Sequence, residues 1–337
     1  MIKLLVFAIF GVILYRIFLR RDYFVFPSGE YTKNKKIKRI IKGKEKEIIV
    51  QETSGIFHKI PFYEIISAGP RKDGIPPIDN PKFIPIKIAD DYLSDIDMGI
   101  AVNIKGINRF YPFKILAWHQ VVNDIFNGKK ILVAYCPLCF SGVAFYSLVD
   151  EEQVEFGTSG MVWNSNSLIY DRKTESLWSL ILGEAIYGEM TGTKLDMVDF
   201  QQINYGGFKK IYPNGEALSR DTGFFRFYDD DPYEEYYRSS ENFFPISKID
   251  ARLANRDLIL GIIAGGNAKA YSFAKLREEG VIKDNFANKK IVAKYNEDME
   301  SASLFEEHPI AGLVKLPSMF GFWFSWAAAY PETEVYK

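Results

Sequence analysis

The sequence predicts an α+β, mainly β protein of two pseudo-repeated halves, with mixed or antiparallel sheets and short helices. Aromatic side chains make up 15% of its 337 residues, with 27 Phe and 20 Tyr; with abundant Ile and Val, they favour pleated surfaces over helices. Gly106-Ile-Asn-Arg-Phe-Tyr-Pro-Phe aligns with Gly266-Asn-Ala-Lys-Ala-Tyr-Ser-Phe. The register continues without a gap through Asp124/Asp284, Lys129-Lys130-Ile131/Lys289-Lys290-Ile291 and Tyr135/Tyr295. A constant offset of this kind marks duplicated supersecondary units. Ile211-Tyr-Pro213 and Ala329-Tyr-Pro331 echo each other near the ends of the two halves.

The apolar run over residues 2–19 reaches the minimum for a bilayer span once Arg16 extends its charge to the headgroups. Residues 1–26 therefore read as a membrane anchor or signal segment, and the body as membrane-anchored and periplasmic or otherwise extracytoplasmic. Arg20 and Arg21 stand against that orientation, because the positive-inside rule prefers few charges on the exported side. Residues 27–69 form a charged linker or arm. Its basic stretch over 33–46 is a solvated face or a contact for anionic lipid headgroups, and Ile48-Ile49-Val50 is strand-like. Residues 70–219 form the first half and 220–337 the second, shortened one.

Prolines in Gly74-Ile-Pro-Pro-Ile-Asp-Asn-Pro81 hold that stretch extended. In each half the pattern predicts a strand (100–104; 258–263), a Gly/Asn turn, a short strand, a helix and a further strand. In the first half that helix covers 113–125 and the next strand 130–135. Strands follow over 143–149, 153–156, 167–170, 176–182 and 185–190, a length of chain that the second half lacks.

The chemistry-bearing residues belong to one copy. Tyr135-Cys136-Pro-Leu-Cys139 is matched by Tyr295-Asn-Glu-Asp-Met299, and His119 by Glu279. The second unit is built without the thiols or the imidazole, so the first carries them for chemistry rather than packing. Two thiols three positions apart form a disulfide, act as a redox pair, or bind a soft metal. With His119 as third donor, Cys136 and Cys139 would suit copper or zinc; beside Trp118 on a helix, His119 reads equally as a satisfied half-buried side chain. A thioredoxin-like exchanger wants a helix after its nucleophile, whereas residues 140–149 read as strand.

Other groupings carry less. Phe156-Gly-Thr-Ser159-Gly160 lacks the spacing of a nucleophile elbow. Asp171-Arg172-Lys-Thr-Glu175 reads as a hairpin turn with its Asp bonding the backbone. Ser159, Asn164, Asn166, Asp171, Arg172, Ser176 and Trp178 are the expected lining of a small-ligand pocket. Met161 is a core residue or a soft fourth donor, while His58 and His308 are expected at the surface. No phosphate loop, dinucleotide fingerprint or H-E-x-x-H motif occurs, so no nucleotide cofactor is expected. A net charge of −1 gives no field to steer nucleic acid.

At Asp73-Gly-Ile-Pro-Pro-Ile-Asp-Asn-Pro81, Trp118-His-Gln-Val-Val-Asn-Asp124, Tyr135-Cys-Pro-Leu-Cys139, Phe156-Gly-Thr-Ser-Gly160, Tyr170-Asp-Arg-Lys-Thr-Glu-Ser-Leu-Trp178 and Gly183-Glu-Ala-Ile186 the sequence resembles the prokaryotic family called domain of unknown function 3179. That family brings no agreed activity. The residues themselves point to a soft-metal (copper or zinc) or thiol-redox protein using Cys136, Cys139 and His119. The alternative is a non-catalytic scaffold subunit of an envelope membrane complex, with the cysteines a structural pair.

Overall fold

A computed structural model describes Phe24, Phe26 and residues 32–41, 44–149, 151–239 and 241–336. The expected anchor over residues 2–19 lies outside the described residues. Among those described, no helix is long and apolar enough to cross a membrane. The described residues are 48% strand and 14% helix, which makes the fold α+β and mainly β.

The duplication seen in the sequence reappears as matched elements. In the first half Met98–Ile104 pairs antiparallel with Ile107–Pro112, the helix Phe113–His119 follows, and Val121–Phe126, Lys129–Cys136 and Ser141–Tyr146 form a three-stranded meander. In the second half Leu258–Ala264, Asn267–Ser272, the helix Phe273–Glu279, Val281–Phe286, Lys289–Asn296 and Ser301–His308 repeat that order. Each unit is completed by an edge strand and a helix, Phe200–Asn204 then Tyr205–Ile211, and Met319–Phe322 then Trp323–Ala329. A short parallel strand closes each, Glu216–Leu218 on the first and Glu334–Val335 on the second.

Local chemistry explains the turns. Asn127 and Gly128, at φ 49° and 78°, make the two-residue loop between Phe126 and Lys129. Asn-Gly tolerates the paired positive φ values that a tight hairpin needs. The helix expected over 113–125 ends instead at His119. Gln120 takes φ 58°, ψ −30°, its N–H bonds to Leu116 O, and Val121–Phe126 leaves as a strand. The left-handed step stops the helix, and β-branched Val121 and Val122 favour the extended chain that follows.

Between Ser141–Tyr146 and Phe200–Asn204 the first half carries an extra layer. Phe156–Trp163, Asn166–Asp171, Leu177–Ser179 and Glu184–Tyr187 belong to an eight-stranded sheet. The segment expected as a charged arm supplies the other four strands, among them Ile65–Ser67 at the edge beside Phe156–Trp163. Thr32–Ile41 and Lys44–Thr53 form a ten-pair hairpin extended by Ile56–His58. His58, expected at the surface, is buried there, its ring bonded to Thr53 Oγ1 and Ile60 O.

The two halves interlock. Ser141–Tyr146 of the first packs against Met319–Phe322 of the second, and Ser301–His308 of the second against Phe200–Asn204 of the first. Ser301 Oγ donates to Gln202 O at 2.8 Å across that second contact. One buried apolar cluster therefore joins Cys136, Leu138 and Cys139 to Trp178 of the extra sheet and to Ile259, Met319, Trp323 and Trp326 of the second half.

Candidate functional site

Cys136 is the last residue of its strand, Pro137–Cys139 make one 3-10 turn, and Ser141 pairs back with Cys136. Phe140 closes the turn at φ 52°. The second half builds the same turn with Asn296 paired to Ser301 and Glu300 at φ 46°. The backbone path thus does not depend on the cysteines.

Both thiols are free and fully buried. The tip of a neighbouring hairpin meets them. Asn164 and Ser165, at φ 51° and 58°, form the two-residue loop between Phe156–Trp163 and Asn166–Asp171. That tight turn delivers Asn166 Nδ2 to Cys139 Sγ at 2.9 Å and the Ser167 N–H to Cys136 Sγ at 3.3 Å. The two cysteines are thereby made unequal. Burial opposes the Cys136 thiolate, but hydrogen bonds from the Cys139 thiol and from Ser167 outweigh it and bring the group down to about 7. Burial and the adjacent Cys136 sulfur push the Cys139 thiol well above its ordinary value.

Tyrosines fasten the turn. From the short helix Glu234–Arg238, Tyr236 OH donates to Leu138 O at 2.8 Å and Tyr237 OH to Pro137 O at 3.1 Å. Tyr135 OH lies 3.0 Å from Tyr237 OH. Beside the turn runs a cleft of about 160 Å³, with Leu138, Ser167, Gln120, Tyr233, Phe243 and Phe244 in its walls. Gln120 Nε2 donates to Tyr233 OH at 3.1 Å there.

Against known families, residues 72–333 match the family described as Protein of unknown function (DUF3179). The chain belongs to the DUF3179 family. No curated protein and no solved structure matches it.

In this DUF3179 protein His119 does not join the cysteines. Its Nδ1 lies 2.7 Å from Pro76 O and its Nε2 2.7 Å from Tyr228 OH, which in turn meets Thr222 Oγ1 at 2.6 Å. Burial lowers the imidazole to about 4, against the opposing pull of the Pro76 carbonyl and with a small further push from Arg226. The ring is therefore neutral, donating from Nδ1 to Pro76 O and accepting the Tyr228 hydroxyl at Nε2. It pins the extended 70–81 segment to the loop that opens the second half. Among the described residues, no three His, Cys, Asp or Glu side chains gather to hold a metal ion, so the expected Cys136–Cys139–His119 ligand set is not assembled.

The seven residues expected to line one pocket divide between separate tasks. Ser159 Oγ bonds Leu168 O, and Ser159 lies on a strand with no helix after it. Asp171 accepts the Thr174 N–H at 2.6 Å and the Trp178 indole N–H at 2.9 Å. Ser176 bonds Thr174 and the Met190 N–H; together these fix the hairpin turn read from the sequence. Arg172 pairs with Asp79 and Glu155 at the surface. Asn164 accepts the Ser247 N–H, and Asn166 alone touches a cysteine. None of the seven lines the cleft beside Leu138, and the thiol neighbour Ser167, the turn-fastening Tyr236 and the cleft residue Gln120 were not expected. The repeat held an unused signal for Gln120, since it places Gly280 opposite it.

Proposed function

We propose that this DUF3179 protein is a thiol-redox protein whose working pair is Cys136 and Cys139. The observation that carries the reading is the asymmetric buried pair, with a thiolate-prone Cys136 beside a Cys139 that holds its proton. Residues i and i+3 of a turn lie within about 7 Å at Cα, and a disulfide spans about 4.4–6.8 Å. A thiolate at Cys136 attacks one sulfur of an incoming disulfide, whose other sulfur leaves with the bond pair and takes a proton. Cys139 then loses its proton and attacks Cys136 Sγ, the mixed disulfide breaks, and the second thiol departs. The partner disulfide is reduced by two electrons and the protein disulfide closes. Asn166 Nδ2 is placed to stabilise the developing Cys139 thiolate.

A soft metal ion would have to be held by the two sulfurs without His119, which is committed to Pro76 and Tyr228. The exported, membrane-tethered setting belongs to the same proposal and rests on the apolar segment over 2–19. The test is to equilibrate the reduced full chain with graded ratios of reduced and oxidised glutathione, counting free thiols after denaturation and measuring bound metals by elemental analysis. A two-electron transition from two thiols to none, abolished in Cys136→Ser, supports the reading. Thiols that stay reduced at every ratio would sink it, and stoichiometric copper or zinc lost in that variant would replace it with a metal site.

A further inference from the structure

The cleft beside Leu138 carries a statement about what exchanges electrons with the pair. Its walls are apolar and aromatic, contributed by Leu138, Met161, Phe243 and Phe244 among others, and among the described residues no charged side chain lines it. A charged peptide disulfide or a nucleotide would have to bury its charge there unpaired, which costs several kcal/mol. The volume is about 160 Å³, and an apolar cavity of roughly 150 Å³ holds one benzene ring. Polar character is confined to a few groups, chiefly the Gln120 amide and the Tyr233 hydroxyl, which are bonded to each other at 3.1 Å. The position is next to the sulfurs. Leu138 lies between the two cysteines, and Ser167, another wall residue, gives its N–H to Cys136 Sγ.

Gln120 is the second, independent observation. It holds φ 58°, ψ −30°, where the repeat has Gly280 at φ 70°, ψ −51°. A side chain in such a conformation costs on the order of 1–3 kcal/mol and persists where function retains it. The strained residue is itself a wall residue of the cleft, its amide bonded to Tyr233, another wall residue.

Resting on the thiol-redox reading, we propose that the cleft binds the ring of a neutral quinone, which accepts two electrons from Cys136 and Cys139. Dithiols pass electrons in pairs, and of the two-electron acceptors a neutral ring matches a cleft of this size and lack of charge. Movement of the Leu138 side chain brings the ring against Cys136, while Gln120 and Tyr233 donate hydrogen bonds to a quinone oxygen. Cys136 Sγ bonds to a ring carbon as one quinone oxygen takes a proton. Cys139 gives its proton to the other oxygen and attacks Cys136 Sγ. The S–C bond then breaks with its electron pair left on the ring. One quinone becomes one hydroquinone, and two thiols become one disulfide.

The experiment mixes the reduced full chain with duroquinone, whose ring carbons are all substituted so that no arylated thiol accumulates, and in parallel with hydroxyethyl disulfide. The expected result is one duroquinone reduced per chain with loss of both thiols, and none in Cys136→Ser. Gln120→Gly and Phe244→Ala should each raise the half-saturating duroquinone concentration about tenfold, with the melting temperature of Gln120→Gly not lowered. Wild type that exchanges with hydroxyethyl disulfide but leaves duroquinone oxidised overturns the quinone assignment and leaves the redox pair standing. So does reduction at one rate in wild type and both cleft variants. Failure with both oxidants sinks the redox pair as well.

Discussion

Asn166 Nδ2 donates to Cys139 Sγ at 2.9 Å, while the same side chain's buried Oδ1 has no partner. An amide oriented at the expense of its own acceptor is placed for its donor. Hydrogen bonds to charged groups contribute about 1.5–3 kcal/mol, so Asn166→Ala should slow closure of the Cys136–Cys139 disulfide by tenfold or more. Stopped-flow mixing with hydroxyethyl disulfide measures that step. Stability should change little, because the substitution also removes the unpaired oxygen. An unchanged closure rate would assign Asn166 to packing alone.

The inequality of the two thiols predicts a titration. Thiolate absorbance at 240 nm should rise with a midpoint near pH 7 for Cys136, while Cys139 stays protonated far above it. Cys139→Ala removes the neighbour that donates to the Cys136 sulfur, so the midpoint should move upward. Cys139→Ser keeps a donor and should move it less. Equal midpoints in all three proteins would show that Ser167 and its surroundings set the value without Cys139.

The sequence made the architecture legible because duplication is a long-range signal. Arg109 and Tyr111 both bond Asp124 in the first half, and Lys269 and Tyr271 both bond Asp284 at the same register in the second. The thiols were legible by the converse argument, since Asn296 and Met299 stand in their places. What could not be read was the third partner. His119 precedes the cysteine-bearing strand closely in sequence, but the left-handed step at Gln120 ends the helix and leaves its ring facing Pro76 and Tyr228. The residues that do reach the sulfurs, Asn166 and Ser167, come from a hairpin tip whose position depends on the register of an entire sheet. Tyr236 and Tyr237 come from the other half, beyond any local periodicity.

Gly280 and Gln120 offer paired substitutions at one backbone position. Around Gly280 a Cβ would meet nothing within 4 Å, so the cost of Gly280→Ala is conformational, about 1 kcal/mol. Gln120→Gly loses one hydrogen bond to Tyr233, about 1 kcal/mol, and gains relief of strain of similar or larger size. Urea unfolding should therefore find Gly280→Ala destabilised and Gln120→Gly within about 1 kcal/mol of wild type. A Gln120→Gly protein destabilised by several kcal/mol would make Gln120 a structural residue and would remove the strain argument for the cleft.

His119 predicts how stability depends on acidity. Its folded value is about 4, below the ordinary 6.5 of an unfolded histidine. Between those values the unfolded chain binds a proton that the folded protein refuses, so acid favours unfolding. The stabilisation is fully present above pH 6.5 and is lost as pH falls toward 4. The shift corresponds to roughly 3 kcal/mol at most, since the ring is the only group changed in the comparison that isolates it. That comparison is His119→Gln, which keeps an amide donor and acceptor but cannot take up the proton. Both proteins will lose stability in acid through other groups, His58 among them, whose burial also lowers its value. The gap between their unfolding free energies should nevertheless narrow steadily from pH 6.5 to 4. A gap that stays constant across that interval would mean that the His119 ring is protonated in the folded protein, and that Tyr228 accepts its hydrogen bond rather than donating one.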